Sequence, residues 1–86
     1  MKITVDTHTH TIASDHSYST VTEMARVASE VGLEAIAITD HGIAMSDSPH
    51  EWYFGNLKNI PRDIFGVKIL YGIEANILDE KGSLDP

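Results

Sequence analysis

The run Leu33-Glu34-Ala35-Ile36-Ala37-Ile38-Thr39 most limits how this chain can fold. It alternates Ala and Ile with a single charge. A strand apolar at successive positions needs cover on both faces, which is the habit of parallel sheets. Upstream, Val21, Met24, Ala28 and Val31 recur at helical spacing. Thr20-Val21-Thr22-Glu23 has the form of a capping box, and Gly32 suits the left-handed position past a helix end. These signals predict a helix over residues 21–31. Ile3 to Val5 open an earlier strand that runs into His10, followed by a loop from Thr11 to Ser19. Strand, helix and strand in that order imply a right-handed parallel crossover, hence an α/β fold.

Further along, Ser48-Pro49-His50-Glu51 reads as a second capping box with Pro at the first helical position. It predicts a helix from Pro49 to Asn59, stopped by Pro61. Trp52, Tyr53 and Phe54 then fit core or pocket wall, and helical spacing alone favours core. Val67 to Leu78 is β-branched and apolar, interrupted by Gly72 and Glu74. Asp79-Glu80-Lys81-Gly82 is a turn signal, so a hairpin is expected to close the sequence.

Composition removes several classes. The 86 residues amount to one domain at most. Six Lys and Arg against 13 Asp and Glu leave a net charge of −7, the wrong sign for nonspecific nucleic-acid binding. No apolar run approaches the roughly 20 residues of a membrane span. The opening Met1 to His10 lacks the apolar stretch of a secretory signal. Without cysteine there is no disulfide and no thiolate metal site. A soluble, cytoplasmic chain is expected. An open sheet with an apolar face must bury it against something, so a homo-oligomer is expected too.

In α/β folds the working residues gather at the C-terminal ends of strands. Here each strand ends in, or carries, a metal-ligand type. His8-Thr9-His10 places two imidazoles two residues apart, on one face of a regular strand. Asp6 would share that face and brace a ligating ring nitrogen. His16 lies in the following loop. His41 sits in Asp40-His41-Gly42, directly after the buried strand, where Gly42 lets the chain turn sharply. Glu74 is a carboxylate inside an apolar strand, costly unless paired, protonated or metal-bound. Each has a plainer reading as a solvated or turn residue; His50, beside Trp52, is read as packing or surface. Together, imidazole and carboxylate without thiolate suit zinc, manganese or iron in an open site. The matching chemistry is metal-assisted hydrolysis.

The spaced motifs Asp6-Thr7-His8-Thr9-His10, His16, Ile38-Thr39-Asp40-His41-Gly42 and Gly72-Ile73-Glu74-Ala75-Asn76 resemble those of the PHP (polymerase and histidinol phosphatase) family. His16-Ser17-Tyr18-Ser19-Thr20 and Ser48-Pro49-His50 with Trp52 look like its stand-alone bacterial phosphatases of the YcdX type. The resemblance implies a distorted (β/α)7 barrel, TIM-like, of which residues 1–86 supply an N-terminal part. It implies hydrolysis of a phosphorylated small molecule at two or three zinc ions, with manganese, magnesium or iron as substitutes. His8, His10 and Glu74 would hold one metal, Glu74 would bridge to a second, and His16 and His41 would hold the third. Glu74, His41 and Asp40 are the catalytic candidates, with Asp40 and Asp6 supporting the ligands and Arg62 a candidate substrate contact. The family's later ligands lie beyond this sequence, and three strands do not close a barrel. The alternatives are a non-catalytic metal-binding or assembly fragment, and an enzyme like histidinol-phosphate phosphatase.

Overall fold

The computed structural model describes residues 2–85. Its elements are β1 (Val5–Thr9), α1 (Val21–Glu30), β2 (Ala35–Ile38), α2 (Trp52–Asn56), a 3-10 turn (Leu57–Asn59), β3 (Asp63–Ile64) and β4 (Val67–Tyr71). They form an open mixed sheet in the order β1-β2-β4-β3. β2 lies between β1 and β4, parallel to both, and all four of its residues are buried.

α1 forms where the spacing predicts. Thr20 accepts the N–H of Glu23 at 3.2 Å, and the Glu23 carboxylate accepts the N–H of Thr20 at 2.9 Å, closing the capping box. Gly32 follows with φ +88°. The helix lays Ala25 and Ala28 on Ile36, Ile38, Val67 and Ile69, and these six make the core. Alanine on the helix lets the backbone approach the bulky strand residues closely. Truncating a residue such as Ile38 would remove about 2–5 kcal/mol.

Three expectations are corrected. The second helix is short. The N-cap position is Glu51, which makes no side-chain cap bond. The N–H of Trp52 is taken instead by Nδ1 of His50 at 3.1 Å, so Ser48 opens no capping box. Gly55 further weakens helix propensity there. Trp52 is exposed rather than core.

The last strand ends at Tyr71, not Leu78. Pairing resumes only as single bridges, His41 with Glu74 and Ile77 with Leu84. The expected hairpin is present around that second bridge, with Leu78 N–H to Ser83 O at 2.7 Å and Gly82 at φ +83°. The outer edge of β4 is partly covered by β3, which pairs with it antiparallel.

β1 is irregular. Asp6 pairs with Ile36, and Thr9 pairs with Ile38, so three steps on β1 match two on β2. That extra residue is a bulge, and it changes which face each side chain takes. Asp6 and Thr9 line a groove with Met24 and Ala28 of α1. Thr7 and His8 line a different depression with Thr39 and Glu74. Asp6 therefore does not share a face with His8.

Candidate metal centre

The sheet ladder continues past the strand ends and builds the site. Thr39 N–H donates to Thr9 O at 2.8 Å, and Gly72 N–H donates to Ile38 O at 2.9 Å. Glu74 N–H then reaches Asp40 O at 3.0 Å, and Gly42 N–H reaches Glu74 O at 2.9 Å. His41 and Glu74 consequently face each other as bridge partners. Nδ1 of His41 lies 2.6 Å from Oε2 of Glu74. The other carboxylate oxygen lies 2.6 Å from Nε2 of His8 and 3.6 Å from Nε2 of His10.

The histidine rings pack against one another. The centroid of His10 is 5.1 Å from His8, 5.4 Å from His16 and 4.4 Å from His41. Among the described residues, two groups have ligand atoms close enough to share an ion: His8 with His10 and Glu74, and His10 with His16 and His41. All five residues picked from sequence come together, and His10 belongs to both groups.

The donor set fits a metal. Nδ1 of His10 and Nδ1 of His41 are buried without a hydrogen-bond partner. The His41 atom is near the Glu74 carboxylate but lacks hydrogen-bond alignment, so its lone pair or proton is unspent. Burial, and then the neighbouring His41, hold the pKa of His10 below the ordinary 6.5. A neutral imidazole is the form that ligates.

The loop with His16 is fixed by Asp40, which is fully buried. Oδ1 of Asp40 accepts the N–H of Thr11 at 2.7 Å and the hydroxyl of Ser14 at 2.8 Å. Its Oδ2 accepts the hydroxyls of Thr11 at 2.8 Å and Tyr53 at 2.5 Å. The Ser14 hydroxyl oxygen also accepts the N–H of His41 at 3.3 Å. One carboxylate thus ties His16's loop and His41's turn together, with its oxygens given to four donors.

The other support residues fall differently. Asp6 accepts the backbone N–H of His8 at 3.1 Å and touches no ring nitrogen. Arg62 stacks its guanidinium over Tyr71, 5.4 Å from the ring centre, outside the histidine cluster. Asp47 is a further support residue, one that local sequence pattern does not mark. Its carboxylate bonds Nδ1 of His16, and that bond above all holds its pKa below the usual 3.8. This leaves the other His16 nitrogen for an ion, the usual carboxylate–histidine–metal arrangement. The only sequence hint was an acid in the loop after Asp40-His41-Gly42.

Residues 6–84 match the PHP domain. The chain belongs to the PHP-domain family. The PHP match takes in every one of the five ligand candidates. A probable phosphatase of Acetivibrio thermocellus is 61% identical over 85 residues, covering 99% of this chain and 35% of that protein. One from Thermoanaerobacter sp. is 59% identical with the same coverage. One from Proteus mirabilis is 59% identical over 81 residues, 94% of this chain and 33% of that protein. This PHP chain therefore spans about a third of the length of the curated relatives it matches. No helix among the described residues is long and apolar enough to cross a membrane.

Proposed function

We propose that this PHP chain is the N-terminal part of a metal-dependent phosphoesterase, and that its strand ends carry two adjacent metal sites. The observation that carries the reading is the convergence of His8, His10, His16, His41 and Glu74 from four chain segments. Its whole-protein architecture would be the distorted (β/α)7 barrel of the family, of which this open sheet is one arc.

His8, His10 and Glu74 would hold one ion, and His16 and His41, with His10 beside them, the other. Zinc suits the nitrogen-rich set best, with manganese or iron as alternatives. Bound there, a divalent ion supplies Lewis-acid polarisation of a phosphoryl oxygen and activates water. The protein's own part is placement. Glu74 spans the groups, with one oxygen toward His8 and His10 and the other toward His41. Asp40 and Asp47 orient the loop and ring of His16. The net charge of −7 does not bar an anionic substrate, because metal ions are the dominant local charges.

A phosphorylated small molecule is the proposed substrate. The test is elemental analysis of the purified chain together with turnover of a generic phosphomonoester, before and after chelation. Bound metal with chelator-sensitive turnover supports the reading. Metal without turnover favours the non-catalytic metal-binding alternative, which the third-length coverage of the relatives also favours for the chain alone. Absence of metal at any loading overturns both.

A further inference from the structure

Asp85 lies outside both ligand groups and is 8% exposed. Its Oδ2 accepts the N–H of Ala44 at 3.0 Å and the side-chain amide of Asn76 at 2.8 Å. Its Oδ1 accepts the N–H of Asn76 at 2.9 Å. The Asn76 amide also donates to Gly42 O at 3.2 Å, and the N–H of Asp85 donates to Asn76 O at 3.2 Å. The carboxylate is thus lodged between the turn that follows His41 and the segment that follows Glu74.

The fit leaves no slack. A Cβ added at Gly42 would lie 2.3 Å from Oδ2 of Asp85, and essentially no real Cβ contact is that short. At this position a side chain would have to displace the Asp85 carboxylate, whereas the backbone conformation itself does not call for glycine. The converging donors are N–H groups, and an acceptor-only group with two oxygens is what such a set demands. Elsewhere His41 and Glu74 are joined by a single isolated bridge.

We propose that Asp85 is a positioning residue for the metal centre, its carboxylate holding the turn after His41 against the segment after Glu74 and so fixing the spacing of those two ligands. The inference rests on the reading of His41 and Glu74 as metal ligands. Groups that orient ligands from outside typically account for a 10- to 100-fold share of metal affinity.

The test is a Co2+ titration of the full chain, read by its visible d–d absorption, alongside thermal unfolding. Asp85→Ala should raise the Kd for Co2+ by ~10- to 100-fold and alter the d–d band. Asp85→Asn keeps one acceptor oxygen but turns an amide N–H toward backbone N–H, and should fall in between. Gly42→Ala should act in the same direction as Asp85→Ala. The double variant should be no worse than Asp85→Ala, since no carboxylate remains to clash. If the Asp85 variants melt earlier yet bind Co2+ with wild-type Kd and spectrum, Asp85 is merely structural and the proposal fails. Additive losses in the double variant would also overturn it. Should Asp85→Ala not fold, Asp85→Asn and Gly42→Ala carry the same comparison. A wild-type chain that gives no Co2+ spectrum overturns the metal reading itself.

Discussion

The Tyr53 hydroxyl donates to Oδ2 of the buried Asp40 at 2.5 Å, pinning α2 to the end of β2. A buried carboxylate is tolerable only when its charge is shared among donors. Burial pushes the Tyr53 phenol up from its ordinary pKa, and the bond to Asp40 adds to that. The phenol therefore stays a donor across the working pH range.

Tyr53→Phe should cost about 1.5–3 kcal/mol, the usual share of a hydrogen bond to a charged group. Urea unfolding measures it. Three donors remain on Asp40, so the variant should still fold. No loss at all would mean that water replaces the phenol.

Thr20→Ala removes one half of the capping box and should cost about 1 kcal/mol. The same site predicts a pH effect. The backbone N–H of Thr20, then its hydroxyl, hold Glu23 below the ordinary 4.5. For Asp85, the N–H of Ala44 and then Asn76 hold the carboxyl below 3.8. Both folded pKa values are depressed, so the folded state binds fewer protons than the unfolded one. Their stabilisation is complete above the unfolded pKa and is lost as pH falls through the folded value. Stability should decline as pH falls below about 5, with a shallower decline in Thr20→Ala. The backbone N–H of Thr20 remains in the variant, so a slope unchanged by it would refute the hydroxyl's share alone.

Phe65 adopts φ +54°, and Gly66 follows at +78°, in the turn between β3 and β4. Left-handed backbone costs a bulky residue about 1–2 kcal/mol, whereas Asn visits it readily. Phe65 is largely exposed, so little packing is lost on replacement. Phe65→Asn should raise stability by up to about 1 kcal/mol, and Gly66→Ala should lower it. Thermal unfolding of the pair checks both signs.

His10 belongs to both ligand groups, and His8 to one. His8→Ala should therefore weaken one site and spare the other. His10→Ala should weaken both, as should Glu74→Gln, whose oxygens face different histidines. Metal stoichiometry by native mass spectrometry separates these outcomes. Equal losses for His8→Ala and His10→Ala would contradict the shared position.

Much of this was legible in the residues themselves. The Ala–Ile alternation at 35–38 marked the buried central strand, and Thr20 with Glu23 marked the start of α1. The five ligand candidates are legible in combination: His8-Thr9-His10, the loop His16, the turn Asp40-His41-Gly42 and a glutamate inside an apolar strand are each weak alone and specific together. Long-range or irregular features were hidden. The two-residue period puts Asp6 with His8, but the bulge breaks that period. The Ser48-Pro49-His50-Glu51 pattern predicts an earlier helix start than the structure has, because His50, not Ser48, takes the N–H of Trp52. Asp47 and Asp85 act across 31 and 41 positions of chain, distances at which local pattern carries no signal.

The bulge in β1 also bears on association. β1 is one outer strand of the sheet, and β3, only two residues long, is the other. An open sheet is a template for strand addition, and both of its borders are blunted here. The irregular spacing between Asp6 and Thr9, with a carboxylate within it, spoils the regular ladder an incoming strand would need. The opposite border is too brief to seed one. For the arc by itself, growth into cross-β stacks is thereby discouraged, whereas the barrel proposed above would close both borders with further strands.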